Sequence, residues 1–158
     1  MKKNADEILE LLLNIYDKIE RTQDEALLKG YFSDITRTEM NTLDRIGPYD
    51  TRTMGETAGR LGITTGTLTV AVDRLVKKGY VERKRAETDR RIVLLSLTRK
   101  GKLAYRMYRK FHRRMVEDIF ASMDEMEEKQ LVNSFEGINE YLNEQYQMLK
   151  GKDKRHAD

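Results

Sequence analysis

Y-V-E-R-K-R-A-E-T-D-R-R-I-V-L-L-S-L-T-R-K-G, Tyr80 to Gly101, is the stretch that decides how this chain folds. It predicts a strand over Tyr80–Arg85, a charged tip over Ala86–Arg91 and a second strand over Ile92–Leu97. The second strand is rich in β-branched and aliphatic residues, which suit a half-buried pleated surface. A ribbon of two strands is not stable alone, so it must lean on its neighbours. A helix pair precedes it and a long basic helix follows it. A basic-tipped hairpin beside a helix pair predicts a winged helix-turn-helix.

Upstream, Thr64 is placed to cap a helix running to about Lys78 and stopped by Gly79. Within it Leu68, Val72, Leu75 and Val76 follow i, i+4, i+7, i+8 and are expected to face a core. Thr53-Met54-Gly55-Glu56 and Thr36-Arg37-Thr38-Glu39 are both Thr-x-x-Glu capping boxes. The first starts a short helix through Leu61, with Gly62 as the turn. The second starts a helix with Met40, Leu43 and Ile46 inward, ending at Gly47-Pro48. Before it lie a connector, Gly30–Ile35, and a first helix, Asp6–Lys29, whose apolar face (Ile8, Leu12, Ile15, Ile19, with Leu9, Leu13 and Tyr16) is wider than its own core needs.

Downstream, Thr98 caps a helix to about Met123 with the stripe Leu103, Met107, Phe111, Met115. Ser122 or Asp124 begins a last helix to about Leu149, carrying Leu131, Phe135, Ile138 and Leu142. The fold class is thus mainly α with a small β-wing, dimerised through the N- and C-terminal helices. Residues 36–98 are expected to form the winged helix-turn-helix, the domain type that binds DNA, 1–35 and 99–150 the helical dimerisation region, and 151–158 a disordered tail.

Charge points the same way. The net charge is only +3, but Arg74 to Arg114 holds 16 Lys/Arg against 3 acidic residues, with 14 basic and 24 acidic residues elsewhere. A basic block in an acidic frame is the footprint of a polyanion binder. The chain has no cysteine, which excludes disulfides, cysteine nucleophiles and Cys-based zinc sites and fits a reducing cytoplasm. No window is apolar and long enough for a membrane span, and the first helix lacks a signal-peptide cleavage site. His112 and His156 are too far apart in sequence to suggest a metal site. No nucleophile, base and acid converge, so neither an enzyme nor a cofactor is expected.

Asp89–Gly101, D-R-R-I-V-L-L-S-L-T-R-K-G, resembles the wing signature D-x-R-x-x-x-L-x-L-T-x-K-G of MarR-type transcriptional regulators. Val72–Arg83, V-D-R-L-V-K-K-G-Y-V-E-R, is similar to the end of their recognition helix and the start of their wing. The helix order matches from Asp6 to Leu149. Within the family the chain is most similar to repressors of fatty-acid biosynthesis genes in Gram-positive bacteria, through Gly66-Thr67-Leu68-Thr69, the wing entry G-Y-V-E-R-K-R (Gly79–Arg85) and Lys100–Glu117. That resemblance implies an obligate homodimer on a palindromic double-stranded DNA operator. It also implies long-chain acyl groups on acyl carrier protein as corepressor. The alternative is a regulator of the same type released by a small aromatic or lipophilic ligand.

Site residues follow. Thr64, Thr65, Thr67 and Thr69 bring hydroxyls and methyls to the groove-entering end of the recognition helix, and Gly66 allows close backbone approach. Val70 stands where many family members carry an arginine, so apolar contacts and DNA shape are expected to matter and the operator to be A·T-rich. Arg74 is a further DNA-binding candidate, and Lys77, Lys78, Arg83, Lys84 and Arg85 are expected at phosphates. Arg91 matches the family's tip arginine and suits a narrow minor groove. Arg90 shares its role, and Asp89 orients it through a charge-assisted bond. An effector pocket is expected from Ile15, Ile19, Phe32, Met40, Leu43, Met107 and Phe111, and a carrier-protein docking face from Arg106, Arg109, Lys110, Arg113 and Arg114.

Overall fold

The computed structural model describes residues 2–153. Among these it contains α1 (Lys2–Leu28), α2 (Arg37–Ile46), β1 (Arg52–Thr53), α3 (Met54–Leu61), α4 (Thr65–Lys77), β2 (Val81–Arg85), β3 (Val93–Leu97), α5 (Arg99–Phe120) and α6 (Glu125–Asp153). The chain forms two compact units, divided between Lys110 and Phe111, inside α5. This differs from the expected boundaries at residues 35 and 98. The reason is packing: Leu27 near the end of α1, and Gly101, Ala104, Tyr105 and Tyr108 on the first turns of α5, sit in or against the winged-helix core.

Both capping boxes form as their spacing dictates. Thr36 Oγ1 accepts from Glu39 N at 3.2 Å while Glu39 Oε2 accepts from Thr36 N at 2.9 Å. Thr53 and Glu56 repeat the exchange at 3.1 and 2.8 Å. Behind these caps Met40, Leu43 and Ile46 of α2, Ala58 of α3, and Leu68, Val72 and Leu75 of α4 close on Tyr80, Val81, Leu95 and Leu97 of the wing. Val76, expected inward, is 38% exposed. At about 100° per residue it stands roughly 70° off the centre of the stripe made by Leu68, Val72 and Leu75. Helix α4 ends in a Schellman turn: Gly79 N donates to Val76 O at 3.0 Å and Tyr80 N to Leu75 O at 2.9 Å. Gly79 takes φ +76°, a conformation that side chains disfavour.

The sheet has three strands, ordered β1-β3-β2 and antiparallel throughout. Val81 pairs with Leu97 and Arg85 with Val93. The extra strand β1, absent from the sequence reading, pairs Arg52 with Leu95 and Thr53 with Leu94. Arg52 also donates from Nε to Ile46 O at 2.8 Å, closing the end of α2. The base of the wing is stitched by Thr98. Its N–H donates to Tyr80 O at 3.0 Å, its hydroxyl donates to Gly79 O at 2.7 Å, and the hydroxyl oxygen accepts from Gly101 N at 3.0 Å. A Cβ on Gly101 would lie 2.1 Å from Tyr80 O, so only glycine lets α5 start this close to β2.

The second unit holds the rest of α5 and α6. Helix α5 stops at Phe120, three residues short of the expected end. Asp124 caps α6, its Oδ1 accepting from Met126 N and Glu127 N, both at 2.9 Å. Helix α6 continues to Asp153, so the first three residues of the expected tail are helical, and residues 154–158 lie outside those described.

Candidate nucleic-acid interface

Helix α4 has one buried stripe and one open face. Leu68, Val72 and Leu75 are wholly buried, whereas Thr64, Thr65, Gly66, Thr67, Thr69, Val70, Arg74 and Lys77 are all exposed. The threonines are more occupied than their spacing suggests. Thr64 Oγ1 accepts from Thr67 N at 3.2 Å and pairs with Thr67 Oγ1 at 2.9 Å. Thr69 Oγ1 donates to Thr65 O at 2.8 Å. These bonds fix the first turn and turn the Thr69 proton inward. A Cβ on Gly66 would meet only Thr64 Oγ1, at 3.8 Å. The fold itself therefore does not require glycine there. The remaining backbone N–H groups at this end are an anion-attracting terminus.

The wing tip presents Arg90 and Arg91 to solvent, the Arg91 side chain being 95% exposed. Asp89 shapes the tip chiefly through the backbone. Its Oδ1 accepts from Arg91 N and its carbonyl from Ile92 N, both at 2.9 Å. The Arg91 guanidinium Nε lies 3.5 Å from Asp89 Oδ1, an ion contact longer than the charge-assisted bond expected.

Two cations expected at phosphates are used internally instead. Arg83 donates from Nη1 to Asp73 Oδ1 at 2.5 Å and from Nη2 to Thr69 O at 3.3 Å, tying β2 to the flank of α4. Lys78 Nζ lies 2.7 and 2.9 Å from the two oxygens of Glu39, which is 3% exposed. The cause is the same in both: a carboxylate of the acidic frame lies within reach, buried Glu39 for Lys78 and Asp73 on the exposed flank of α4 for Arg83. Arg74, Lys77, Arg85 and Arg90 have no ion pair among the described residues and remain for a polyanion.

Behind the interface lies a polar junction that sequence reasoning missed. Tyr80 is wholly buried and donates its hydroxyl to Asp34 Oδ1 at 2.5 Å. Lys100 Nζ lies 3.9 Å from the Tyr80 ring centre, 3.3 Å from Asp34 Oδ2 and 3.0 Å from Lys78 O. The Tyr80 hydroxyl holds the Asp34 carboxyl below its ordinary pKa, with Lys100 helping against burial. Burial, and then Asp34, push the Tyr80 phenol well up. Burial works to raise Glu39, but Lys78 and Thr36 outweigh it and the carboxyl lies below its ordinary value. Asp34, Glu39 and Asp73 carry no local signal of these tertiary partners beyond Glu39's place in its capping box.

The expected pocket residues do not share one environment. Met40 and Leu43 are 1% and 0% exposed members of the winged-helix core. Phe32 packs edge-on against Tyr80, with ring centres 6.1 Å apart. Ile15 and Met107 are exposed, Ile19 is half-buried, and Phe111 belongs to the second unit. An open cleft of about 330 Å3 lies instead among Asp24, Leu27, Ser33, Asp34, Ile35, Thr36 and Arg37. Arg37 there is paired with Glu20 and, at 3.4 Å, with Asp24. On α5, Arg109 and Arg114 have loose partners, Asp44 at 3.8 Å and Asp118 at 3.9 Å. Arg106, Lys110 and Arg113 have no ion pair among the described residues.

An outward helix N-terminus beside an arginine-tipped ribbon defines a winged helix-turn-helix DNA-binding regulator. The chain belongs to the MarR family, and its residues 33–92 match the model of that family. It is similar to FabT of Streptococcus pneumoniae, solved in complex with DNA: 35% identity, 89% of this chain and 98% of that one covered, TM-score 0.85. It is also 32% identical to the HTH-type transcriptional regulator YcgE of Bacillus subtilis, over 72% of this chain and 73% of that protein. Another relative, the HTH-type regulator YfiV of the same organism, is 31% identical over 67% of this chain and 64% of its own length. The protein is a transcriptional regulator and not an enzyme. No helix among the described residues is long and apolar enough to cross a membrane.

Proposed function

We propose that the protein is a homodimeric repressor of fatty-acid biosynthesis genes, acting on a palindromic, A·T-rich operator, with long-chain acyl-acyl carrier protein as corepressor. The observation that carries this reading is the likeness to FabT in its DNA complex across nearly the whole chain. Pairing of two chains is supported by apolar side chains left exposed on α1 (Ile8, Leu12, Ile15) and on α6 (Phe135, Ile138, Leu142). A two-fold dimer matches a palindrome whose half-sites lie about 34 Å apart. Arg91 enters the minor groove, where A·T-rich sequence concentrates negative potential. The α5 cations Arg106, Arg109, Lys110, Arg113 and Arg114 offer an acidic carrier protein a docking face. The regulatory step is a coupling free energy between DNA and carrier sites.

The test is fluorescence anisotropy on an operator duplex with and without long-chain acyl-acyl carrier protein. Tighter DNA binding with the acyl carrier, and not with the unloaded carrier, is expected. Release or indifference refutes the corepressor reading. Release by a small lipophilic compound supports the alternative.

A further inference from the structure

We infer that Val70 is the specificity-determining contact of α4, and that it reads the 5-methyl group of one thymine in each operator half-site. The inference rests on the DNA-binding reading above and deepens it.

At 3.6 residues per turn, Val70 stands roughly 165° around α4 from the centre of the Leu68, Val72, Leu75 stripe. It is therefore the middle of the outward face, and it is 54% exposed. A β-branched residue is not favoured there by helix propensity, and no core packing accounts for it. Its surroundings leave it as the part of the face that meets a base edge. Gly66, one turn before, carries no side chain. Thr69 has its hydroxyl proton committed to Thr65 O, and Thr64 and Thr67 are bonded to each other. Asp73, the acid on this helix, is neutralised by Arg83. Arg74 and Lys77, one and two turns on, have long stems and no ion pair among the described residues, which suits flanking phosphates. What projects at Val70 itself is a pair of methyls. The group in the major groove that gains from burying a methyl is the thymine 5-methyl, which neither guanine, cytosine nor adenine offers.

The full chain is first used to select duplexes from a random-sequence library. Each thymine of the selected operator is then replaced by deoxyuridine, which removes only the methyl. One symmetric position is expected to lose about fourfold in affinity per half-site, the worth of one buried methyl group. In Val70→Ala that position should bind thymine and deoxyuridine alike, with thermal unfolding unchanged because the site is exposed. In Arg91→Ala overall affinity should fall while the fourfold methyl effect persists. A selected operator with no methyl-sensitive thymine, or one equally sensitive in Val70→Ala, overturns the assignment of Val70 and leaves DNA binding intact. No enriched duplex at all overturns both.

Discussion

The Glu39–Lys78 pair can be broken from either side, and the two breaks should not cost the same. Lys78→Met keeps the apolar stem and removes the ammonium that lies 2.7 Å from a carboxylate whose side chain is 4% exposed. Stranding one member of a buried pair costs about 3–5 kcal/mol. The Lys78 side chain is 30% exposed, so water screens part of the pair and the lower half of that range applies. A ceiling comes from proton uptake. A stranded glutamate can neutralise itself at pH 7 for about 3.7 kcal/mol, starting from its ordinary pKa. The expected loss is therefore about 3–3.7 kcal/mol at pH 7. Glu39→Gln keeps an oxygen for the Thr36 N–H and lets Lys78 turn to solvent, so about 1–2 kcal/mol is expected. The double variant leaves no stranded charge and should be clearly more stable than the two losses added together.

The pH dependence follows from the direction of the Glu39 shift. Its folded pKa lies below the unfolded one. Its contribution is therefore fully present above the unfolded value and lost as pH falls through the folded value. The gap between the parent protein and Glu39→Gln should be widest near pH 7 and close as the pH falls below the ordinary glutamate value. Urea unfolding followed by circular dichroism, at fixed protein concentration, measures all four proteins. A Lys78→Met loss below about 0.5 kcal/mol, or strict additivity of the two changes, would refute the claim that this pair is buried and coupled.

Gly101→Ala places a Cβ against Tyr80 O, with backbone on both sides, and should cost at least about 3 kcal/mol; a melting temperature within a degree or two of the parent contradicts the packing. Thr98→Ala removes a cap that also holds Gly79 O, and about 1–2 kcal/mol should be lost in the same urea assay. Arg83→Ala should weaken operator binding about tenfold, because it leaves the Asp73 carboxylate unpaired beside the phosphates, and Asp73→Asn in that background should restore part of the loss. No restoration means that Arg83 touches DNA itself. Arg91→Ala should weaken operator binding at least tenfold in anisotropy, and unchanged affinity rejects the wing contact.

What the sequence made legible is what depends on near neighbours. Both capping boxes close over three residues, so Thr36 with Glu39 and Thr53 with Glu56 could be read directly. The ribbon was visible because β-branched residues cluster in Ile92–Leu97 and charge clusters at its tip. Strand β1 was not, because two residues have no period and Arg52-Thr53 is a strand only by pairing with Leu94 and Leu95. The open face of α4 and the exposed tip were legible, but which cations are held by carboxylates was not. A lysine's sign does not reveal that a carboxylate 39 residues away will hold it, as Glu39 holds Lys78. Gly101 could be read as a letter of the family signature. Its cause, the Tyr80 carbonyl, is tertiary.

The inward pairings make the outward surface. Asp34, Glu39 and Asp73 draw Lys100, Lys78 and Arg83 to the inner side or the flank of the reading unit. Arg74, Lys77, Arg85 and Arg90 are left facing out. The same bonds fix geometry. Arg83 ties β2 to the middle of α4, the Schellman turn and Thr98 tie the end of α4 to both strands, and Lys100 ties the start of α5 to the end of α4. Recognition helix and wing base are therefore one rigid piece. Bending the wing against α4 would break an ion pair, the Thr98 hydroxyl bond and the glycine contact at once. An effector that changes operator affinity at lower cost has to move the whole piece and alter the distance between the two copies of α4 in a dimer. Substitutions at Asp34 or Lys100 should therefore act on stability before specificity, whereas those at Val70 and Arg91 act on specificity and affinity alone.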